Sequence, residues 1–265
     1  MAKKGDAQFR TKCIYCGLGT HSKEHVFGKR LAPLLPPGQK KWTHSTVWYD
    51  DAGRVTSKQV KVRDGNYFGR TIKGACVPCN NVWMARIYDA AFPLIAKLID
   101  GELWRFQPEE SLKLAAWAVL FTMTYEYGDP LGGGIAETER KKFYQDKSIP
   151  PGWSIAFGRL DKVGNWANGV AHMKPGAIKS PIDGEWYPTI TLAYSIGRLL
   201  VLVAKTIPRY FLSDTMLKHH GLCRVWPMFG NDISPELPLL DDYRAELVAH
   251  SFKLFPLPLM FEGRW

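Results

Sequence analysis

Apolar residues after Asn80 recur with the spacing of a helix face, at Trp83, Ile87, Leu94 and Leu98, which predicts a helix with Pro93 as a kink and Gly101 as its stop. The next segment, PEESLKLAAWAVLFTMTYEYG, opens with Pro108 and two acids at what would be the positive end of a helix dipole. It is apolar nearly all round, so a buried helix is expected. A third helix, over AETERKKFYQDK, is short and amphipathic. Beyond Pro150 the pattern shortens to strands. GWSIAFGRL, NWANGVAHM, YPTITLAYS, RLLVLVAKT and LCRVWPMF are separated by Gly, Pro, Asp and Asn, which predicts an antiparallel sheet. Ahead of the helices, EHVFGKRLAPLLPPG suggests a short helical piece stopped by Pro36, Pro37 and Gly38. THSTVWYDDAGRVTSKQVKVR alternates β-branched and aromatic residues around Asp50, Asp51, Ala52 and Gly53, the pattern of a hairpin. The proline-rich end, FPLPLMFEGRW, is expected to pack as an extended tail.

These elements make an α+β chain of 265 residues, 46% of them apolar, enough for a substantial core. The longest apolar runs, Leu114 to Tyr127 and Thr189 to Ala204, fall short of a membrane span, and the second carries Arg198 in its middle. No apolar stretch follows the first lysines, which predicts no secretion signal and a reducing, cytoplasmic setting.

The formal net charge of +10 changes the picture through its placement. Residues 1 to 80 hold 15 Lys and Arg against 5 Asp and Glu, while residues 81 to 265 balance. A polyanionic partner for the first third follows, because Lys and Arg gain affinity for phosphate by releasing counterions.

Four of the five cysteines form two C-x-x-C pairs, Cys13 with Cys16 and Cys76 with Cys79. In a reducing setting this spacing points to a structural zinc, each pair forming a knuckle and two knuckles completing a tetrahedron. Cys223 falls in a predicted strand and is expected to be a small buried residue.

Between the knuckles lies HSKEH, His21 to His25. On a helix, H-x-x-E-H is a zinc-peptidase signature, in which His21 and His25 would be ligands and Glu102 a further candidate ligand. In order and position, however, CIYCG, SKEHV and CVPCNN leading a helix resemble the HNH or ββα-metal endonucleases, in particular the zinc-stapled variant represented by recombination endonuclease VII. The resemblance covers residues 13 to about 90. It implies a zinc-stapled nuclease domain over 1–84 and says nothing of the rest; by its own helix and strand pattern 85–265 reads as an α+β domain of unassigned role, the expected surface for a protein partner or self-association. It implies Glu24 and Asn80 as ligands of a catalytic Mg²⁺ or Mn²⁺, with Asn81 the neighbouring alternative, and His25 as general base. Thr71 stands where many members carry a loop-steadying asparagine, a role Asn66 would have to fill.

DNA is the expected partner, with RNA as the alternative, and Lys23, Lys29, Arg30, Lys40, Lys41, Lys58, Lys61 and Arg63 form the candidate phosphate-contacting group. No membrane association is expected, and by resemblance the setting is bacterial or phage-encoded. A non-catalytic zinc module that binds nucleic acid is the competing expectation.

Overall fold

The first strands and helices assemble around the cysteine pairs. In a computed structural model that describes residues 12–19, 21–34, 41–49, 55–102, 105–129, 134–169, 171–179, 183–206, 210–228, 238–251 and 260–262, strand β1 (His21–His25) is followed by a 3₁₀ turn over Lys29–Leu34. Strands β2 (Lys41–Tyr49) and β3 (Val55–Asp64) form a hairpin of their own, in register from Lys41 opposite Asp64 to Tyr49 opposite Val55. The tip of the expected hairpin, 50–54, lies outside the described residues. Strand β4 (Thr71–Cys76) returns to pair antiparallel with β1, not with the hairpin.

A single π-helical stretch over Cys79–Met84 then leads into α1 (Ala85–Asp100), which ends on Gly101 in the left-handed conformation. The helix runs through Pro93. Its buried stripe is Tyr88, Ala91, Ile95, Leu98 and Ile99, whereas Ile87 and Leu94, expected to face inward, are half-buried. The cause is the π turn. It adds a residue to the turn that carries Trp83, so the inward position after Trp83 falls at 88 instead of 87.

Helix α2 (Pro108–Tyr127) begins with a capping box, in which the Glu110 carboxylate accepts the Gln107 N–H at 2.8 Å. Thirteen of its side chains are buried, so it needs partners on nearly every side, and it has them. Tyr15 hydrogen-bonds Thr124 across 2.8 Å, Phe27 packs edge-on against Phe121 with ring centres 5.1 Å apart, and Trp117 and Phe121 lie on Tyr194. Helix α3 (Glu137–Asp146) closes the end of this layer through Phe143 on Trp83.

The second half builds one sheet. Strands β5 (Trp153–Leu160), β6 (Ala171–Lys179), β7 (Trp186–Ile196) and β8 (Leu199–Lys205) are joined by β10 (Leu222–Trp226) in the antiparallel order β10-β5-β8-β7-β6. The short β11 (Leu239–Leu240) adds to β5 in parallel. Every residue of β8 is buried, because both faces of the sheet are covered. One face packs under α1 and α2 through Phe157, Tyr194, Val201 and Val203. The other packs under α4 (Asp214–His219) and α5 (Asp242–Ser251) through Ala156, Leu200 and Leu202.

The sequence pattern missed both covering helices. Ser213 caps α4 by accepting the Met216 N–H, and α5 buries only Ala245, Val248 and Ala249, too small a stripe to stand out. The expected strand over NWANGVAHM is half a 3₁₀ turn, Trp166–Asn168, with β6 beginning at Ala171. The Asp242 carboxylate holds that turn by accepting the N–H groups of Asn165 at 2.6 Å and Trp166 at 2.9 Å. Most of the tail lies outside the described residues; within it, β12 (Met260–Glu262) pairs with β9 (Tyr210–Leu212).

The chain is thus α+β, and one continuous apolar cluster runs from Tyr15 and Phe27 through α1 and α2 to Val225, crossing residue 84 without interruption. Among the described residues no helix is long and apolar enough to cross a membrane.

A buried ion pair between Arg140 of α3 and Glu126 of α2 joins the two helices, and the Arg140 guanidinium also donates to the Ile135 carbonyl at 2.9 Å. Both side chains are almost fully buried, so removing one leaves the other charge without its counterion. Arg140→Met should cost about 3–5 kcal/mol, and Arg140→Met combined with Glu126→Leu should recover most of it. Urea unfolding of the two variants checks this.

Candidate metal centre and active site

Cys13 and Cys16 precede β1, Cys76 ends β4, and Cys79 opens the helix that follows. Their four sulfurs lie within 4.8 Å of one another, with Cys16 and Cys76 at 3.6 Å. A tetrahedral thiolate site with 2.3 Å metal–sulfur bonds has edges of about 3.8 Å. The donor set therefore fits a metal ion such as zinc. The first knuckle turns on Gly17 and Gly19, both at positive φ, and a side chain at Gly19 would come within 3.1 Å of the Cys76 Cβ. The Gly17 N–H donates to the Cys13 carbonyl at 2.9 Å, and the Leu18 N–H approaches the Cys16 sulfur at 3.4 Å, a contact that stabilises thiolate charge. Cys223 lies apart, buried in β10, its thiol donating to the Phe157 carbonyl at 3.3 Å.

The cysteines set β1 against the start of the helix. Asn80, directly after Cys79, donates its amide to the Ser22 hydroxyl at 3.3 Å and contacts the Lys23 carbonyl at 3.5 Å. The Ser22 hydroxyl in turn donates to Ala75 of β4 at 3.0 Å. Asn80 also hydrogen-bonds Glu24. Glu24 is 4% exposed, and its Oε2 is buried with no hydrogen-bond partner among the described residues. Burial pushes its carboxyl up to about 7, against the smaller opposing effects of Asn80 and the Lys29 ammonium. His25 pairs with Thr71 across the β1–β4 ribbon, and its imidazole is held below its ordinary value by burial and then by Lys29, so it is neutral near pH 7.

Glu24, His25 and Asn80 line one cavity of about 420 Å³. Lys23, Lys29 and Arg30 lie along it, Arg30 in an exposed ion pair with Asp89 at 2.9 Å. Lys41, Lys58, Lys61 and Arg63 are brought together elsewhere, exposed on the β2–β3 hairpin, with Lys61 opposite His44 and Lys58 opposite Val47. Lys40 lies outside the described residues. Asn66 is not at the cavity; its side chain caps a 3₁₀ turn by accepting the Phe68 N–H at 3.0 Å.

Several cavity residues escape sequence reasoning: Ser22, Tyr88, Asp89 and Phe92. The helical steps from Asn81 through Ala85, Tyr88, Phe92 and Ile95 share one face and were the available signal.

The peptidase expectation is corrected here. His21 and His25 are the ends of a strand, which separates their Cα atoms by about 13 Å instead of the roughly 6 Å of one helical turn. Glu102 follows the far end of α1, whose sixteen residues alone span about 24 Å beyond the π turn that Cys79 opens. No family model matches the chain, nor does any curated protein or solved structure.

Two outcomes follow. Cys13→Ser or Cys76→Ser should abolish stoichiometric metal binding and lower the melting temperature by roughly 10 °C, since such binding energy is folding energy and each kcal/mol is worth ~2–4 °C at this size. Elemental analysis and thermal melts check it. Second, a carboxyl raised from 4.5 to about 7 leaves stability intact at low pH and erodes it as pH rises between those values. Glu24→Gln should therefore stabilise the protein in Mg²⁺- and Mn²⁺-free buffer at pH 8.5 by up to about 3 kcal/mol, with a much smaller gain at pH 5. Urea unfolding at the two pH values reads the difference.

Proposed function

We propose that the protein is a metal-dependent endonuclease of the HNH type, hydrolysing phosphodiester bonds in DNA. The observation that carries this is the buried Glu24 carboxylate, one oxygen without a partner, touching the Asn80 amide in a cavity that His25 also lines. A buried carboxylate is costly unless a positive charge meets it, and Glu24 has the hard oxygen donors that Mg²⁺ or Mn²⁺ prefers. Glu24 and Asn80, through its amide oxygen, would hold that ion. When bound, it would neutralise charge on the phosphate and on the leaving oxygen.

His25 takes the proton of the attacking water, a task its depressed basicity suits because the free imidazole is the form present at pH 7. Lys23 and Lys29 border the cavity and pair with phosphate. The hairpin cations Lys41, Lys58, Lys61 and Arg63 extend that contact along the nucleic-acid backbone, in keeping with the basic first third of the chain. On this reading the β1–β4 ribbon and the helix after Cys79 would serve as the family's ββα element, with zinc on the four cysteines as its staple. Products would carry 5′-phosphate and 3′-hydroxyl ends, as the resemblance implies.

Supercoiled plasmid tests the reading. The parent protein should nick it with Mg²⁺ or Mn²⁺ and not without. His25→Ala should lower the rate by about 10²–10⁴ while zinc content and DNA affinity hold. Glu24→Ala and Asn80→Ala should also lose activity but recover part of it at high Mn²⁺. Salt-sensitive DNA binding with no nicking by the parent protein under any divalent ion would replace this reading with that of a non-catalytic zinc module.

A further inference from the structure

Helix α3 ends on a residue that backbone preference alone would not put there. Lys147 caps it at φ 54° and ψ 25°, and among the described residues it is the only one other than glycine with a positive φ. A helix that closes in the left-handed region usually does so on glycine or asparagine, because a Cβ there crowds the following carbonyl oxygen. Such an outlier asks for a compensating interaction.

What the conformation achieves is the placement of an ammonium group. The Lys147 Nζ lies 3.6 Å from the centre of the Tyr144 ring and 5.1 Å from that of Trp83, and the two rings meet edge-on at 5.2 Å. Trp83 belongs to the π turn that Cys79 opens, and it packs at 5.0 Å on Tyr15, which stands between Cys13 and Cys16. Each knuckle therefore contributes one ring to the group under Lys147. Burial lowers the basicity of the ammonium and the charge of Cys79 opposes that effect, so cation and thiolate are within electrostatic reach of each other. The Tyr144 hydroxyl is raised by the charge of Cys79 first, then by burial and by the other three cysteines. A second ammonium, that of Lys141, borders the first knuckle, where a side chain at Gly17 would meet its Cε at 3.4 Å; Glu137 already pairs with it at 2.6 Å.

Four thiolates around a divalent ion leave two negative charges in excess. We infer that Lys147 is a counter-charge residue of the metal centre, held over Tyr144 and Trp83 so that its ammonium offsets that excess and slows loss of the ion. The metal centre then includes the end of α3, far along the chain from the last of its cysteines, and is not made by the two knuckles alone. Lys141 is the lesser contributor, since Glu137 shares its charge. This role is independent of the endonuclease reading.

Zinc-loaded full-length protein tests this through release of the ion to an excess of a chromogenic chelator. Lys147→Gly and Lys147→Gln should lose zinc roughly 3- to 10-fold faster than the parent, the range for a partly screened cation facing two negative charges, and Lys147→Arg should keep the parent's rate. In about 1 M NaCl the difference should shrink below about twofold, because the screening length falls to about 3 Å. Melting at saturating Zn²⁺ separates charge from structure. Lys147→Gly should melt no lower than the parent, since glycine takes the left-handed conformation without crowding. A lysine that served only the helix dipole would instead lower the melting temperature of Lys147→Gln, with zinc release changing in step. Equal release by the parent and all three variants overturns the counter-charge, as does faster release by Lys147→Arg, a difference that persists at high salt, or release that merely tracks the melting temperature. A parent protein that binds no zinc overturns it together with the metal centre.

Discussion

Four thiols that must meet at one point constrain everything around them. The pairs are separated by 59 residues, yet their sulfurs converge within 4.8 Å, which forces β4 back beside β1 and starts the next helix at a fixed place against that ribbon. Asn80 is in contact with Ser22, Lys23 and Glu24 because it follows Cys79 by one residue. The hairpin of β2 and β3 can project from the loop between the pairs because the ribbon does not depend on it.

Held in this way, the site can keep a feature that would not survive in a pliable fold. A carboxyl at 4% exposure with an unpartnered oxygen is unfavourable, and a flexible strand would relieve it by turning the side chain to water. β1 cannot do so. Its other neighbours are Ile72 across the ribbon and the packed aromatic group of Phe27, Tyr67 and Phe68 immediately beyond it. The strain on Glu24 is thus balanced by apolar packing that also belongs to the main core.

How far the sequence anticipates this depends on the length of each pattern. The cysteine quartet, α2 with its nearly all-round apolar surface, the hairpin and the central strands β5, β7 and β8 each carry a repeated signal and are legible. The inward stripe of α1 is displaced by one residue because a π turn, which leaves no mark in hydrophobic spacing, precedes it. α4 and α5 are hidden because they bury few or small side chains. HSKEH contains no apolar residue, so neither its strand geometry nor the burial of Glu24 could be read from it. The helical side of the cavity is a matter of which helix face meets which turn, a tertiary fact. Its residues look like any others of an amphipathic helix until the loop carrying Leu31 is placed against them.

The central position of α2 has a further consequence, for the chain as it leaves the ribosome. The cysteine site needs only the first 79 residues and can close early, while most of the protein is unmade. The thirteen inward side chains of α2 have a different timetable, since Trp117 and Phe121 wait for Tyr194, and the same cluster is completed only by Val225 of β10. For roughly a hundred residues of synthesis the helix with the most buried side chains therefore stands without its covering sheet, the condition in which nascent chains aggregate or recruit chaperones. Completion of the core around α2 thus depends on the second half of the chain, although the features that point to chemistry lie in its first.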